Sequence, residues 1–383
     1  MVDHPYSSNL ALPTFDVAVV GAGLAGAAIA HFCAQHGLRV ALVEATTAGA
    51  GGATQHSRGI VRVYDPSEAL MALGQRGTTF WRRWSLGEIN PFRQCGVFYV
   101  AARASLPQIE QRLRSHDHES YPIRILSYEE TGRMASGLSS GVYQNSVVLY
   151  EPLGGFVNPR LAAQLFAESA RQKAATVVEG SMVRRVEETC DAAVVHTEAG
   201  ALRARAVVVA AGAFTRRLLE AVPLSSISGG DGAEYSARLT SSFVRSIPLG
   251  CVHDPAAGIP AHCVIDESSG GYLRPESDVL AFVGGARQSD ASDVDALPEL
   301  ACDQYERTAA LAHRLLGAVH AQVIDMRSGY DAYTPDMLPI IGFADDFPRI
   351  AVAFGFSGRG AKYIPALMSD FARDVVDRVR QLP

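Results

Sequence analysis

The chain lacks most of what would commit it to metal, disulfide, membrane or nucleic-acid chemistry. Its six cysteines, Cys33, Cys95, Cys190, Cys251, Cys263 and Cys302, are scattered, and no two stand in C-x-x-C spacing. Neither a zinc site nor a disulfide framework is suggested, and each cysteine reads as a small buried residue. The histidines do not cluster and no Ser-His-Asp signature is present, which leaves metal chemistry and triad hydrolysis without support. No apolar run reaches the roughly 18 residues of a transmembrane helix, so no membrane span is expected. The opening MVDHPYSSNLALPTF has neither a basic start nor an apolar core and does not read as a signal peptide. A cytoplasmic location is the default expectation. Positive charge is short too: the formal net charge is −6, which argues against a broad nucleic-acid surface.

What is present is ordinary in bulk and specific in one place. With 383 residues, 48% of them hydrophobic and 19% charged, the chain is long enough for two lobes. DVAVV at 16–20 is a short β-branched run suited to a strand buried on both faces. It runs into Gly21, Ala22, Gly23, Leu24, Ala25 and Gly26, then AAIAHFCAQHG at helical spacing, with Gly37 as the stop. RVALVE follows as a second buried strand ending at Glu44, with Ala45 next. In this strand–turn–helix–strand–acid order, Gly21 permits the tight turn and Gly23 lets the backbone approach a pyrophosphate. Gly26 lets the helix pack closely on the strand. The helix start offers free N–H groups to phosphates, and Glu44 can accept from ribose hydroxyls while repelling a 2′-phosphate. The motif binds a dinucleotide; it does not distinguish FAD from NAD.

The stretch ATTAGAGGATQHSRGIVR after Glu44 has the composition of a loop pressed against a ligand, with Arg58 and Arg62 inside it. Residues 64–150 are richer in aromatics and arginine and read as part of a second lobe. FVNPRLAAQLFAESARQKAA predicts a helix with Asn158 as N-cap and Pro159 at its first position. Two short strands, a hairpin and a buried strand follow, the last ending in Ala211 and Gly212. Residues 225–243 are polar and loop-like, and the rest of 225–325 mixes strand and helix. From there the chain returns to a buried strand, a glycine turn and a long amphipathic helix.

The matching pieces VVGAGLAG, GGATQHSRGIVR, VNPRLAAQLFAESA, VVVAAGAF, GYLRPESD, TPDMLPIIG and GFSGRGAKY, in this order, resemble the D-amino-acid oxidase (DAO) superfamily of FAD-dependent amine oxidoreductases. Within it the chain is similar to the monomeric sarcosine oxidase and glycine oxidase branch. The resemblance implies a two-lobed α/β (α+β) fold, with a Rossmann-like FAD-binding domain formed by 14–63, 146–224 and 326–383. An antiparallel-sheet substrate domain is formed by 64–145 and 225–325. It also implies cofactor contacts from Gly52, Ala53, Thr54 and Ser57 in the second glycine loop. Val183 is implied at the adenine end, and Ala211 and Gly212 close to the cofactor. Gly358, Arg359, Gly360 and Lys362 are implied at the tip of the last helix, which GFSGRG is expected to open. Matching IVR puts Arg62 on the second family arginine and Gly59 on the first, so Arg58 is an approximate stand-in near the flavin. Arg62 and Lys362 are the implied holders of a substrate carboxylate. Tyr272 matches an aromatic that lines the substrate pocket.

Three departures shape the expected chemistry. The cysteine that carries FAD covalently in sarcosine oxidases is matched by Gly329, so noncovalent FAD is expected. A carboxylate-binding arginine of glycine oxidases is matched by Asp331, which would meet a cationic substrate group or pair with Arg62. The lysine that activates oxygen falls near LAFVGG, which has no lysine. The implied reaction is oxidation of a C–N bond in a small amine or amino acid by hydride transfer to flavin N5. It gives an imine and, with oxygen as acceptor, hydrogen peroxide. Three other readings remain: an FAD dehydrogenase serving a quinone or carrier protein, a non-catalytic flavin-binding partner, and an NAD enzyme.

Overall fold

The structure, a computed structural model, describes residues 14–220, 222, 237–255, 258–285, 289–316 and 320–382. The expected loop at 225–236 and most of the N-terminal stretch lie outside these residues. Three sheets of eight, nine and three strands organise the chain.

The eight-stranded sheet has a parallel core. Thr176–Val178, Val40–Val43, Thr14–Val20, Gly200–Val209 and Ile350–Phe354 lie side by side in that order. Ile340–Phe343 runs antiparallel at one edge, and the meander Val183–Glu188, Ala193–Thr197 joins the start of Gly200–Val209. The central strand is covered on both faces, which is why it reads as an unbroken apolar run. Val17 and Val19 share a cluster with the helices Leu24–Gln35, Pro159–Arg171 and Ile364–Gln381. Ala18 and Val20 join Val207, Val209, Ile350 and Val352 on the other face. Leu24–Gln35 is itself buried almost all round between the two other helices, so its alanines set the packing distance. The helix Pro159–Arg171 starts as its sequence predicts, with Asn158 Oδ1 accepting from the Leu161 amide at 3.1 Å.

Gly26 shows what the motif demands. A methyl group there would overlap the carbonyl oxygen of Gly21 and touch Ala210 Cβ at 3.3 Å. The helix would have to move off the strand. Gly26→Ala is expected to cost about 1–3 kcal/mol, in the range of other overpacked sites, read as a lower urea midpoint at unchanged slope.

The nine-stranded sheet is antiparallel except where Cys263–Asp266 runs parallel to Val97–Ala102. Strict alternation divides its residues between two faces. Phe98, Val100, Val264, Leu273, Ala281 and Val283 pack under the helix Gln304–Leu316. Their neighbours in the strands point the other way: Tyr99 meets Arg62, Phe282 meets Arg58 and Arg274, Tyr272 lies near Arg58, and Ile265 packs in the cluster of Val63, Tyr64 and Tyr99.

Three sequence expectations shift. Ser146–Glu151 and Gln322–Tyr333 belong to this antiparallel sheet, so the sheet boundaries fall after Glu151 and Tyr333 rather than at 146 and 326. The helix Glu68–Arg83, read with the second lobe, packs on the terminal helix and buries Trp81 in the first lobe's core. The second glycine loop contains a five-residue helix, Gly52–His56. Among the described residues no helix is long and apolar enough to cross a membrane, and no three His, Cys, Asp or Glu residues gather to hold a metal ion.

Candidate active site

The first glycine turn is locked from behind and open in front. Gly21 has φ +96° and its back lies on Ala210 and Ala211, so the turn and the end of Gly200–Val209 close on each other. No side chain of the N-cap Gly23 covers the helix start. Thr54 of the short helix reaches across instead: its Oγ1 accepts from the Leu24 amide at 2.9 Å. Glu44 Oε2 accepts from the Ala22 amide at 2.7 Å, and its Oε1 takes the amide and hydroxyl of Thr46 at 2.9 and 3.0 Å. Glu44 therefore stands at the turn with lone pairs left for a further donor. Ala45 beside it is exposed, and the Ser181 amide bonds to the Glu44 carbonyl, bringing the start of Val183–Glu188 to the same end. A Cβ at Gly51, Gly52 or Gly212 would meet nothing within 4 Å, and one at Gly23 would approach only Thr54 Oγ1. Ala53 and Ser57 close the short helix, the Ser57 amide bonding to the Ala53 carbonyl and its Oγ holding the Gly59 amide.

A second group of residues gathers at Arg62. Its Cζ lies 4.7 Å from the Tyr99 ring centroid, and its buried Nη1 has no partner. The next two amides, Val63 and Tyr64, donate to the fully buried carboxylate of Glu151 at 2.6 and 3.1 Å, which also accepts from Tyr121 at 2.8 Å. The backbone that carries Arg62 is thereby clamped. Three residues on from Arg62, Asp65 is 0% exposed and Lys362 3%, and Lys362 Nζ donates to Asp65 Oδ2 at 2.6 Å. Arg359 stands 3.5 Å from the other Asp65 oxygen, and the Ser67 amide donates to it at 3.0 Å. Burial pushes the Asp65 carboxyl up, but Lys362 and the Ser67 amide more than reverse this and hold it below its usual range. Burial, and then the charge of Arg62, pull Lys362 down to about 7 against the pull of Asp65.

The terminal helix differs from expectation. It begins at Ile364, after a 3₁₀ turn at Gly360–Lys362, so GFSGRG leads up to it rather than opening it. The Gly358 amide is not free for a ligand oxygen: it donates to Asp331 Oδ2 at 2.9 Å, while Oδ1 takes the Ala332 amide at 2.8 Å. Asp331 thus holds the glycine turn and is not an ion-pair partner of Arg62. Burial raises its carboxyl to about 6, against the two amides.

The sheet face opposite this turn is cationic and aromatic. Arg58 Cζ lies 4.1 Å from the Phe282 centroid; Arg274 Cζ lies 4.9 Å from the same ring and 4.3 Å from Phe156. Each arginine has a buried Nε without a partner, although Arg274 also pairs with Glu276. Burial, and then the neighbouring Arg58, bring Arg274 down to about 10. The Tyr272 phenol, pushed up to about 12 by burial, packs against Gly284. A side chain at Gly329 would overlap His56.

The DAO family, described as FAD dependent oxidoreductases, matches residues 16–370. The chain belongs to this family. It is 24% identical to the N-methyl-L-tryptophan oxidase of Escherichia coli O139:H28 over 378 residues, 94% of this chain and 95% of that protein. Its fold matches glycine oxidase from Geobacillus kaustophilus with TM-score 0.79 at 23% identity, over 95% of each chain. It matches L-proline dehydrogenase from P.horikoshii with TM-score 0.81 at 19% identity, over 97% of this chain and 96% of that one.

FAD is the cofactor of this DAO-family oxidoreductase, and the residues present fit it. The glycine turn leaves no room behind and open space in front. The glycines at the helix start leave the backbone uncovered, and the buried Nε of Arg58 lacks an acceptor. Several residues of this site escaped the sequence reading. Asp65 lies 297 positions from Lys362, and DPS reads locally as a turn before a helix. Glu151, Arg274 and Phe282 become site residues only through strand register. Gly77 is another: a Cβ there would overlap the Lys362 carbonyl, and Trp81 Nε1 donates to the Ala361 carbonyl at 2.8 Å. One usable signal was compositional. Lys173 and Lys362 are the only lysines among 34 basic Lys and Arg residues, so a lysine beside a glycine motif marks a place where a compact ammonium is wanted rather than a guanidinium.

Proposed function

We propose that the chain oxidises a C–N bond of a small amine or amino acid to an imine. Bound FAD supplies the two-electron acceptor. Gly21–Gly26, Glu44, Thr54 and the Gly52–Ser57 segment would hold its dinucleotide part, with Val183, Ala211 and Gly212 alongside, and Arg58 would lie towards its ring. Gly329 against His56 leaves no space for a linking thiol, which supports noncovalent binding. The observation that carries the reading is the buried, unpartnered Nη1 of the half-buried Arg62 beside the Asp65–Lys362 pair. Asp65 already balances Lys362, so Arg62 is the charge left for a substrate carboxylate. Arg62 orients that group and Lys362 backs it, while Tyr99 and Tyr272 line the apolar side. No strong base is required if the amine binds neutral.

The test is an anaerobic screen of amino acids and secondary amines, reading bleaching of the flavin band. Bleaching by at least one carboxylate-bearing amine is expected; none across both classes would overturn the reading. A dehydrogenase passing electrons to a quinone or carrier remains the second reading. Phe282, capped by Arg58, fills the strand Leu280–Gly284 where the family lysine is missing. Admitting air after reduction separates the two: rapid return of the band supports an oxidase, slow return a dehydrogenase.

A further inference from the structure

The thiols of Cys95 and Cys263 touch, with sulfurs 3.8 Å apart, although 168 positions separate them. Their backbones are tied already. The Cys263 amide donates to the Gly96 carbonyl at 3.1 Å, and Cys263 pairs with Val97 in parallel register. Closing the sulfurs to about 2.05 Å asks for a movement under about 2 Å, within the reach of side-chain rotation. The two differ in access: Cys263 is fully buried beside Val97 and Phe156, whereas Cys95 is partly exposed. Two guanidiniums, Arg93 and Arg274, flank the pair; both stack on Phe156, at 5.8 and 4.3 Å. The bond from the Cys263 thiol, and then these two charges, lower the Cys95 thiol against its burial, while burial raises Cys263. A partly exposed sulfur whose thiol is lowered thus sits against a buried one whose thiol is raised. That is the arrangement of a nucleophile and its resolving partner.

We propose that Cys95 and Cys263 form a peroxide-oxidisable dithiol that closes to a reversible disulfide. The Cys95 thiolate attacks one oxygen of a hydroperoxide. The O–O bond breaks, and the alcohol or water that leaves carries off a proton, so Cys95 becomes a sulfenic acid. Cys263 sulfur then attacks Cys95 sulfur; the S–S bond forms, the S–O bond breaks, and water leaves with the Cys263 proton. Two thiols are oxidised by two electrons and one peroxide is reduced. Under the oxidase reading, turnover itself would deliver hydrogen peroxide close to the pair. The chemistry does not depend on that reading, because peroxide can be added.

The holoenzyme is titrated with hydrogen peroxide, quenched with N-ethylmaleimide, digested without reductant and mapped by mass spectrometry. A linked Cys95–Cys263 peptide that dithiothreitol separates is expected. Cys95 should be consumed roughly tenfold faster than the more exposed Cys190 and Cys302, because it alone of the three has two guanidiniums beside it and a second thiol in contact to resolve the sulfenic acid. In Cys263→Ser, Cys95 should instead be trapped by dimedone as a sulfenic acid, and Cys95→Ser should leave Cys263 alkylatable only after unfolding. The proposal is overturned if the link forms only in denaturant, or if Cys95 passes to sulfinic acid with Cys263 intact. Survival of both thiols at doses that consume Cys190 and Cys302 would overturn it equally. These outcomes are read on thiols alone, so they stand apart from whether amine substrates bleach the flavin.

Discussion

Arg62→Ala is expected to lower kcat/KM for a carboxylate-bearing amine by about 10²–10³-fold. Removing one member of a buried, hydrogen-bonded charge pair costs about 2–5 kcal/mol, and each 1.4 kcal/mol is about tenfold. The loss should fall on substrates through their carboxylate. An amine of the same size without that group should change little between wild type and variant. Arg62→Lys should recover part of the loss, since it keeps the charge but not the planar fork that meets two carboxylate oxygens. Steady-state kinetics on the paired substrates, with the dissociation constant of an unreactive carboxylate, measure this. An equal loss for both amines would show that Arg62 serves the flavin or the fold instead. Glu151 gives the control: it holds the Val63 and Tyr64 amides, so Glu151→Gln should loosen Arg62 without removing it.

Asp65→Ala is the second large effect, and it acts on stability. Breaking a buried ion pair by removing one member costs about 3–5 kcal/mol, because the other charge is left without compensation. Lys362 would then stand beside Arg62 and Arg359 with no anion. The double variant Asp65→Leu, Lys362→Met should regain most of the stability, since neither charge remains buried, while losing carboxylate affinity. The pH dependence has a definite sign. Lys362 sits at about 7 in the fold against 10.5 when free. Between these values the unfolded chain binds one more proton, so this group's contribution makes stability rise with pH across that window. Without Asp65 the folded value drops further and the rising limb starts at lower pH. The deficit of Asp65→Ala should therefore be largest below pH 7 and shrink towards alkaline pH. Urea unfolding at several pH values checks it; a deficit that grows with pH would contradict the assignment.

The parts of this architecture that could be read from the chain are the local ones. The DVAVVGAGLAG turn and the Asn158 cap each depend on neighbours within a few residues and stand in the structure with the contacts their spacing demands, and Glu44 ends its strand beside that turn, accepting from the Ala22 amide. The start of the terminal helix was misplaced because GFSGRG has glycines that suit a helix start. In the fold those glycines serve a turn: Gly355 and Gly358 have φ of +74° and +70°, and Ser357 joins them at +51°. The site itself is long-range. Asp65 meets Lys362, Glu151 meets Val63, and Arg274 meets Arg58 only after three separated segments have folded together. Charge in a linear sequence does not announce its partner. Asp331 was legible as an unusual acid, but its use, holding the Gly358 amide, depends on a turn whose geometry the sequence does not spell out.

The two-faced strands around Tyr272 have an evolutionary corollary. Along Gly271–Pro275 and Leu280–Gly284, the residues proposed to line the site alternate with Leu273, Ala281 and Val283, which are 0% exposed beneath the helix. Selection for a new substrate can rewrite every second position while leaving the interleaved anchors untouched. Diversification of reactivity is then largely uncoupled from foldability, and a library randomised only at 272, 274 and 282 should yield mostly folded proteins with shifted preferences.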